Sequence, residues 1–352
     1  MRQVRLSAFG GRLALEPSCP GLIALALMIL ALAALLVASV VLGSDGPSPR
    51  AALAALFGSG DAQALLVTGE FRLPRALVAL LAGGLLGLAG ALTQGATRNP
   101  LADPALLGIS QGAALTVIAL AVLAPGLGGN WGDSWRPAAA FAGGLGIAGL
   151  ILALSIERDG AGPVRLLLIG IGVAAFLGAM TTALLTYGGV NEAHSALAWI
   201  AGSVRNAGWS AVWLLAWLTP LAGLIALLAV RPLAVLRLGD ELATTLGHRA
   251  GQSRMALMAG AAALAAASVS VVGPIAFTGL VAPHLAARLA PAGPGLHLAL
   301  SWAAGAGLTG LADLAGRTLF APAQVPAGLV TALAGAPLMA FLMIRSFGRK
   351  PE

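Results

Sequence analysis

Residues 74–114 read PRALVALLAGGLLGLAGALTQGATRNPLADPALLGISQGAA. From Ala76 to Ala96 no charge appears, and a run of this length suffices for a helix to cross a hydrocarbon layer about 30 Å thick, which takes about 20 apolar residues. Gly83, Gly84, Gly87, Gly90 and Gly95 recur along it at small-xxx-small spacing, which lets helix backbones approach where lipid offers no hydrophobic drive. The run then breaks at NPLADPALLGISQGAA (99–114), where Pro and Gly interrupt the helix before an apolar segment resumes. A chain that starts this way is built from tightly packed spanning helices.

The rest of the chain repeats the pattern. Of 352 residues, 59% are hydrophobic and 9% charged, against about 25% charged in a soluble domain. Apolar segments fall at 20–43, 74–96, 105–125, 136–156, 164–187, 209–230, 252–273, 274–291, 297–318 and 326–347, an all-α polytopic membrane protein of about ten transmembrane helices, the eighth short for a span. The chain divides into an N-terminal tail (1–19), a transmembrane body (20–347) with a loop at 231–251, and a C-terminal tail (348–352). The first apolar run, Gly21 to Leu42, exceeds the 7–15 residues of a signal-peptide core and reads as an uncleaved span. The single cysteine, Cys19, permits no intramolecular disulfide and no cysteine-cluster metal site.

The net charge of +7 comes from scattered loop arginines, which set topology rather than bind nucleic acid. With the amino terminus inside, fourteen basic residues fall inside and six outside (Arg50, Arg72, Arg75, Arg136, Arg205 and Arg317), so both termini are expected in the cytoplasm. Trp131, Trp135, Trp199, Trp209 and Trp213 fall at the outer boundary, where amphipathic rings anchor. A second break, GPIAFTGLVAPHLA (273–286), echoes the first from the opposite side of the membrane, an inverted repeat of the kind transporters use, although so restricted an alphabet also produces such echoes by chance.

Absences narrow the function. The only lysine is Lys350, so no G-x-x-x-x-G-K-[ST] phosphate loop exists and the chain is not expected to hydrolyse ATP or to act as an enzyme. His194, His248, His284 and His297 stand apart and read as structural or exposed. Only Asp313 and Arg317 qualify as the mid-span ionisable residues an ion-driven carrier would need, near the outer end of one helix; four apart, they can neutralise one another. The polar exception is RLGDELATTLGHR (237–249), read as a short amphipathic helix: Asp240 and Glu241 at its start, Leu238, Leu242 and Leu246 as a stripe, Gly247 as a stop. Such a helix suits a groove in a partner; the competing reading lays it on the membrane surface, where more Lys and Arg would be expected.

RLPR (72–75), NPLADPALLGISQGA (99–113), RLLLIGIG (165–172), WIAGS (199–203), LRLGDELATTLG (236–247), GPIAFTGLVAPHLAARL (273–289), ADLAGR (312–317) and VPAGLVTALAGAPLMAFLM (325–343) occur in this order. In them the chain resembles the permease subunits of ABC importers for ferric siderophores, haem and cobalamin. The resemblance implies the type II importer permease fold, a bacterial inner-membrane location, a second permease subunit as homodimer or heterodimer, two ATPase subunits, and a soluble substrate-binding protein outside. It implies no cofactor and no bound metal in this chain, ATP and Mg being held by the ATPase. Gly239, Asp240, Glu241, Leu242, Ala243, Leu246 and Gly247 match the family's ATPase-coupling loop; Arg72, Arg75 and Arg317 match positions that dock the binding protein; Asn99 and Leu101 match the cytoplasmic gate. WIAGS followed by RNAGW (205–209) is closer to siderophore permeases than to those for haem or cobalamin. An ion-coupled secondary carrier is the reading from another class, and it would need a mid-membrane titratable site.

Overall fold

In a computed structural model, residues 6–8, 13–15, 19–43, 46–123, 135–157, 160–161, 163–187, 197 and 199–347 are described. Trp131, His194 and Lys350 lie outside these residues. Ten helices answer the ten apolar segments: α1 (Cys19–Val41), α4 (Leu73–Thr97), α5 (Ile109–Leu123), α6 (Arg136–Leu154), α7 (Pro163–Tyr187), α8 (Trp209–Leu236), α10 (Ala250–Val272), α11 (Thr278–Leu289), α12 (Pro294–Thr318) and α13 (Ala327–Phe347). Among the described residues, seven helices are long and apolar enough to cross a membrane, the one that contains α4 starting at Ala62, while α5 and α13 are shorter as apolar helices. Short helices α2 (Pro49–Leu56), α3 (Ala62–Leu66) and α9 (Asp240–Thr245) lie between the long ones. Two small antiparallel hairpins, Leu6–Ala8 with Leu13–Leu15 and Ile156–Glu157 with Gly160–Ala161, sit outside the bundle's core.

The spanning body is organised around α4, most of which is buried, whereas in α1 only Gly21, Ser39 and Val40 are buried. Helices α8, α10, α11 and α12 pack on α4. The glycines seen in the sequence decide how closely. A Cβ on Gly87 would overlap the Ser301 carbonyl of α12, and one on Gly90 would overlap the Gly279 carbonyl of α11. Gly84 makes room for the Trp302 indole and Gly95 for Leu233. In contrast, Gly149 of α6 and Gly223 of α8 have no atom within 4 Å of an added Cβ. Small residues on α4 are therefore a packing requirement, whereas Gly149 and Gly223 are not.

Both breaks expected from the sequence are present, and they leave opposite ends of the bundle. After α4 the chain makes a left-handed turn at Arg98 (φ 51°), then a 3-10 turn (Pro104–Leu107), before α5 begins. After α10, residues 274–277 run back without helical hydrogen bonds, and α11 starts only at Thr278, later than the expected 274, behind Phe277 in the left-handed region (φ 64°). The Phe277 ring packs against Gly335, eight residues along α13 and so about 12 Å below its start. Irregular backbone at this depth is tolerated where protein buries it or where it lines a cavity; Gly273 and Ile275 are buried, Pro274 and Phe277 half-buried and Ala276 exposed.

The sixth span is longer than expected. The sequence places it at 209–230, and α8 continues to Leu236 with both Pro220 and Pro232 inside it. Membrane helices tolerate proline where neighbouring groups re-satisfy the freed carbonyl. The polar loop accordingly contracts to residues 237–249.

Replacing Gly90 with alanine is expected to cost about 1–3 kcal/mol through backbone overlap, whereas Gly149→Ala should leave stability unchanged. Thermal unfolding of the purified variants in detergent, followed by loss of the monodisperse peak, checks the contrast.

Candidate coupling site and arginine cluster

The bundle has two chemically distinct ends. At one, α8 stops at Leu236 and the chain turns through Gly239, whose φ of 101° disfavours any side chain, into the six-residue α9. A Schellman motif closes α9: the Gly247 N–H donates to the Thr244 carbonyl and the His248 N–H to the Ala243 carbonyl, both at 2.9 Å, with Gly247 at φ 75°. The His248 ring contacts Ser253 Oγ at 2.8 Å. Glycines on both sides thus make so short a helix definite.

Two faces of α9 serve different purposes. Ala243 is fully buried against the bundle, while Leu238, Leu242 and Leu246 are 53%, 58% and 67% exposed, the oily stripe expected from the sequence. The two acidic residues part company. Glu241 points to solvent, but Asp240, expected beside it on a charged rim, accepts two hydrogen bonds from Arg254 Nη2 at 3.0 and 3.1 Å and pairs with Arg98 Nη2 at 3.1 Å. Arg254 is buried, and its Nε donates to the carbonyl of Ala96 in the last turn of α4 at 2.9 Å. Asp240 therefore ties α9 to the end of the central helix. The exposed Arg98–Asp240 pair adds little by itself, and the pairing with buried Arg254 carries the energetic weight.

Asn99 and Leu101 follow immediately. Asn99 Oδ1 accepts from the Leu101 N–H at 2.9 Å and the Asn99 carbonyl from Ala102 N–H at 3.1 Å, an Asx turn that gives the asparagine a local structural reason. Leu101 is 37% exposed at the tip of this turn.

At the other end the three arginines expected to face a binding protein turn inward. Arg72 and Arg317 are 6% and 4% exposed. Arg72 Nη1 donates to the carbonyls of Val40 and Val41, each at 3.2 Å, and Arg317 donates to those of Leu42, at 2.9 Å, and Ser39. These are the final carbonyls of α1, which have no partner within their own helix. Arg75 grips Asp313, Nε to Oδ1 at 2.9 Å and Nη2 to Oδ1 at 2.7 Å, and its Nη1 donates to Gln324 Oε1 at 3.0 Å. The Asp313–Arg317 pair read from the i,i+4 spacing is present at 3.4 Å, as the weaker of two contacts. Sequence reasoning missed the stronger one, because Arg75 and Asp313 are 238 residues apart and only the packing of α4 on α12 joins them. Arg50, Arg136 and Arg205 remain exposed at this end. Trp209 lies here too, its indole donating to the Gly69 carbonyl at 3.1 Å.

Among the described residues, no three His, Cys, Asp or Glu side chains converge as a metal site would require. The FecCD transport family matches residues 29–345, a span that holds both ends just described.

The chain belongs to the FecCD transport family.

It is 40% identical over 327 residues to the achromobactin transport system permease protein CbrC of Dickeya dadantii, covering 92% of this chain and 91% of that protein. It is 39% identical over 316 residues to YfhA of Bacillus subtilis, described as a siderophore transport system permease, covering 89% and 92%. Among solved structures, one described as a metal-chelate type ABC transporter in an inward-facing conformation superposes with a TM-score of 0.78 at 27% identity, covering 91% of this chain and 98% of that one. The polytopic type II importer permease fold that the resemblance implies is thus the fold observed.

Because Asp313 neutralises two buried guanidiniums, Asp313→Asn should destabilise the protein by about 3–5 kcal/mol. The double variant Arg75→Met/Asp313→Leu should lose less than the single. Thermal melts of all three proteins read the difference.

Proposed function

We propose that this chain is the membrane-spanning permease subunit of an ATP-driven importer for a ferric siderophore in the bacterial inner membrane. One observation carries the coupling mechanism: a short helix exposes an apolar stripe outward while its first residue, Asp240, is tied through the buried Arg254 to the end of the bundle's central helix. Leu238, Leu242 and Leu246, with Glu241 on the rim, form the surface that seats in a groove of the ATPase. Motion of that partner reaches Asp240, passes to Arg254 and Arg98, and so displaces the end of α4 and the Asn99–Leu101 turn that closes the path. The chain itself contributes neither nucleotide nor metal site; ATP and Mg belong to the ATPase subunits.

Two permease subunits enclose the path in this reading, whether two copies or two different chains. Exposed apolar side chains on α7 and α13, among them Leu168, Phe176, Leu333 and Phe341, supply a face for it. Helix α1 begins and α13 ends at the same end as α9, which agrees with both termini being cytoplasmic and with the positive-inside count. The arginine end then receives the soluble binding protein. Arg50, Arg136 and Arg205 are displayed there, whereas Arg72, Arg75 and Arg317 could meet a partner's carboxylates only by giving up Asp313 and the α1 carbonyls. A siderophore cargo is supported by the named relatives and by the shortage of groups able to cage bare iron. Haem and cobalamin importers lack that support from the named relatives. An ion-coupled carrier is disfavoured because, of the thirteen acidic residues, only Asp313 falls inside one of the ten long helices, where Arg75 and Arg317 occupy it.

Proteoliposomes holding the complete complex should take up a radiolabelled ferric siderophore only with ATP; uptake driven by an ion gradient without the ATPase would overturn the reading. Asp240→Asn removes a charge-assisted contact worth about 1.5–3 kcal/mol and should lower uptake about ten-fold or more while ATP hydrolysis continues. Leu242→Asp, on the outward stripe, should instead release the ATPase during purification.

A further inference from the structure

A crevice of 660 Å³ opens on the flank of the bundle between α1, α8 and α12, away from both ends described above. On α8, Thr219, Gly223 and Leu227 line it at four-residue intervals; Leu22 and Ile29 of α1 and Leu296 of α12 face them, with Trp302 and Leu88 at the floor. Its side chains offer almost nothing to a polar ligand. Thr219 and Trp302 are its only polar-bearing side chains, and the Thr219 hydroxyl already donates to the Leu215 carbonyl at 2.9 Å. Gly223 leaves the wall open, with no atom within 4 Å of where a Cβ would stand.

One end of the crevice is different. A further four-residue step beyond Leu227 on α8 stands Arg231, next to the lining residue Val230 and exposed. Helix α12 begins at the same mouth, where Gly293, Pro294 and Gly295 line the opening and no side chain caps the first turn. No acidic residue occurs in α1 or α8, and the single one in α12, Asp313, lies at its far end. The mouth is therefore electropositive, and the twelve residues from Thr219 to Arg231 span about 18 Å, close to the depth of one leaflet, about half of a ~30 Å hydrocarbon layer.

An apolar slot one leaflet deep, ending in an arginine and an uncapped helix start, matches one molecule in its dimensions and charge. We infer that this crevice holds the acyl chain of an anionic phospholipid, whose phosphate meets Arg231 and the start of α12. The inference requires only that the chain spans a bilayer, so it stands or falls independently of the cargo and of the ATPase. A bound lipid here would join the peripheral α1 to α8 and α12.

Native mass spectrometry tests it on the assembled transporter, released from nanodiscs containing equal phosphatidylglycerol and phosphatidylethanolamine. The wild-type complex should retain phosphatidylglycerol about five-fold over phosphatidylethanolamine, the preference one arginine near an anionic headgroup supports. Arg231→Gln should abolish the preference while lipid is still retained, and Gly223→Leu, which fills the slot, should remove the retained lipid of either kind. Equal retention of the two lipids by the wild type, or a preference unchanged in Arg231→Gln, overturns the proposal. So does efficient disulfide cross-linking between chains carrying Gly223→Cys with Cys19→Ser, because a second copy would then cover the crevice.

Discussion

A helix ends with carbonyls that its own backbone cannot satisfy, and in or near a hydrocarbon layer water is not there to satisfy them. This protein answers with guanidinium groups from other helices. Arg72 and Arg317 take the last carbonyls of α1, and Arg254 takes a carbonyl in the last turn of α4. Each arginine must then be neutralised or held, and the two carboxylates nearest them, Asp313 and Asp240, are placed accordingly. The functional ends are thus extensions of the same accounting that ends the helices. A group that completes a helix cannot be disturbed without disturbing what the helix carries, and this is how a small polar foot comes to be mechanically continuous with the bundle's centre.

Continuity also depends on how closely the central helix is packed. With glycine at 87 and 90, α4 lies in backbone contact with α12 and α11, so displacement of its end cannot be absorbed by soft side chains in between. Both interruptions of regular helix adjoin it. The turn at Arg98 to Leu101 follows its last residue, and the extended segment before α11 delivers Gly279 against its middle. The loosely packed helices are elsewhere: α1 and α8 are largely exposed, and the crevice lies between them, where a lipid rather than protein fills the gap.

The spans were legible because apolar length is a property of local sequence: ten segments became ten helices, with boundaries that shifted most where α8 runs on past 230 to Leu236 and where the chain stays extended before Thr278. Helix α9 was legible for a similar reason, since its leucine stripe and flanking glycines lie within one short stretch. The charge partners were not. Asp240 beside Glu241 looks like half of a charged rim until Arg254 and Arg98, which arrive from other helices, claim it. Arg72 and Arg75 look like exterior cations because they lie outside the apolar run, and nothing nearby in sequence announces that the α1 carbonyls and Asp313 will be folded against them.

Hydropathy and the order of its motifs determine by themselves that this chain crosses a membrane as a packed helical bundle of a transport family, because burial of apolar length needs no information from distant residues. Which charges face out and which are spent inside was decided only by tertiary structure: an ion pair or a carbonyl cap joins residues up to 278 positions apart, and its partner exists only once the helices have packed.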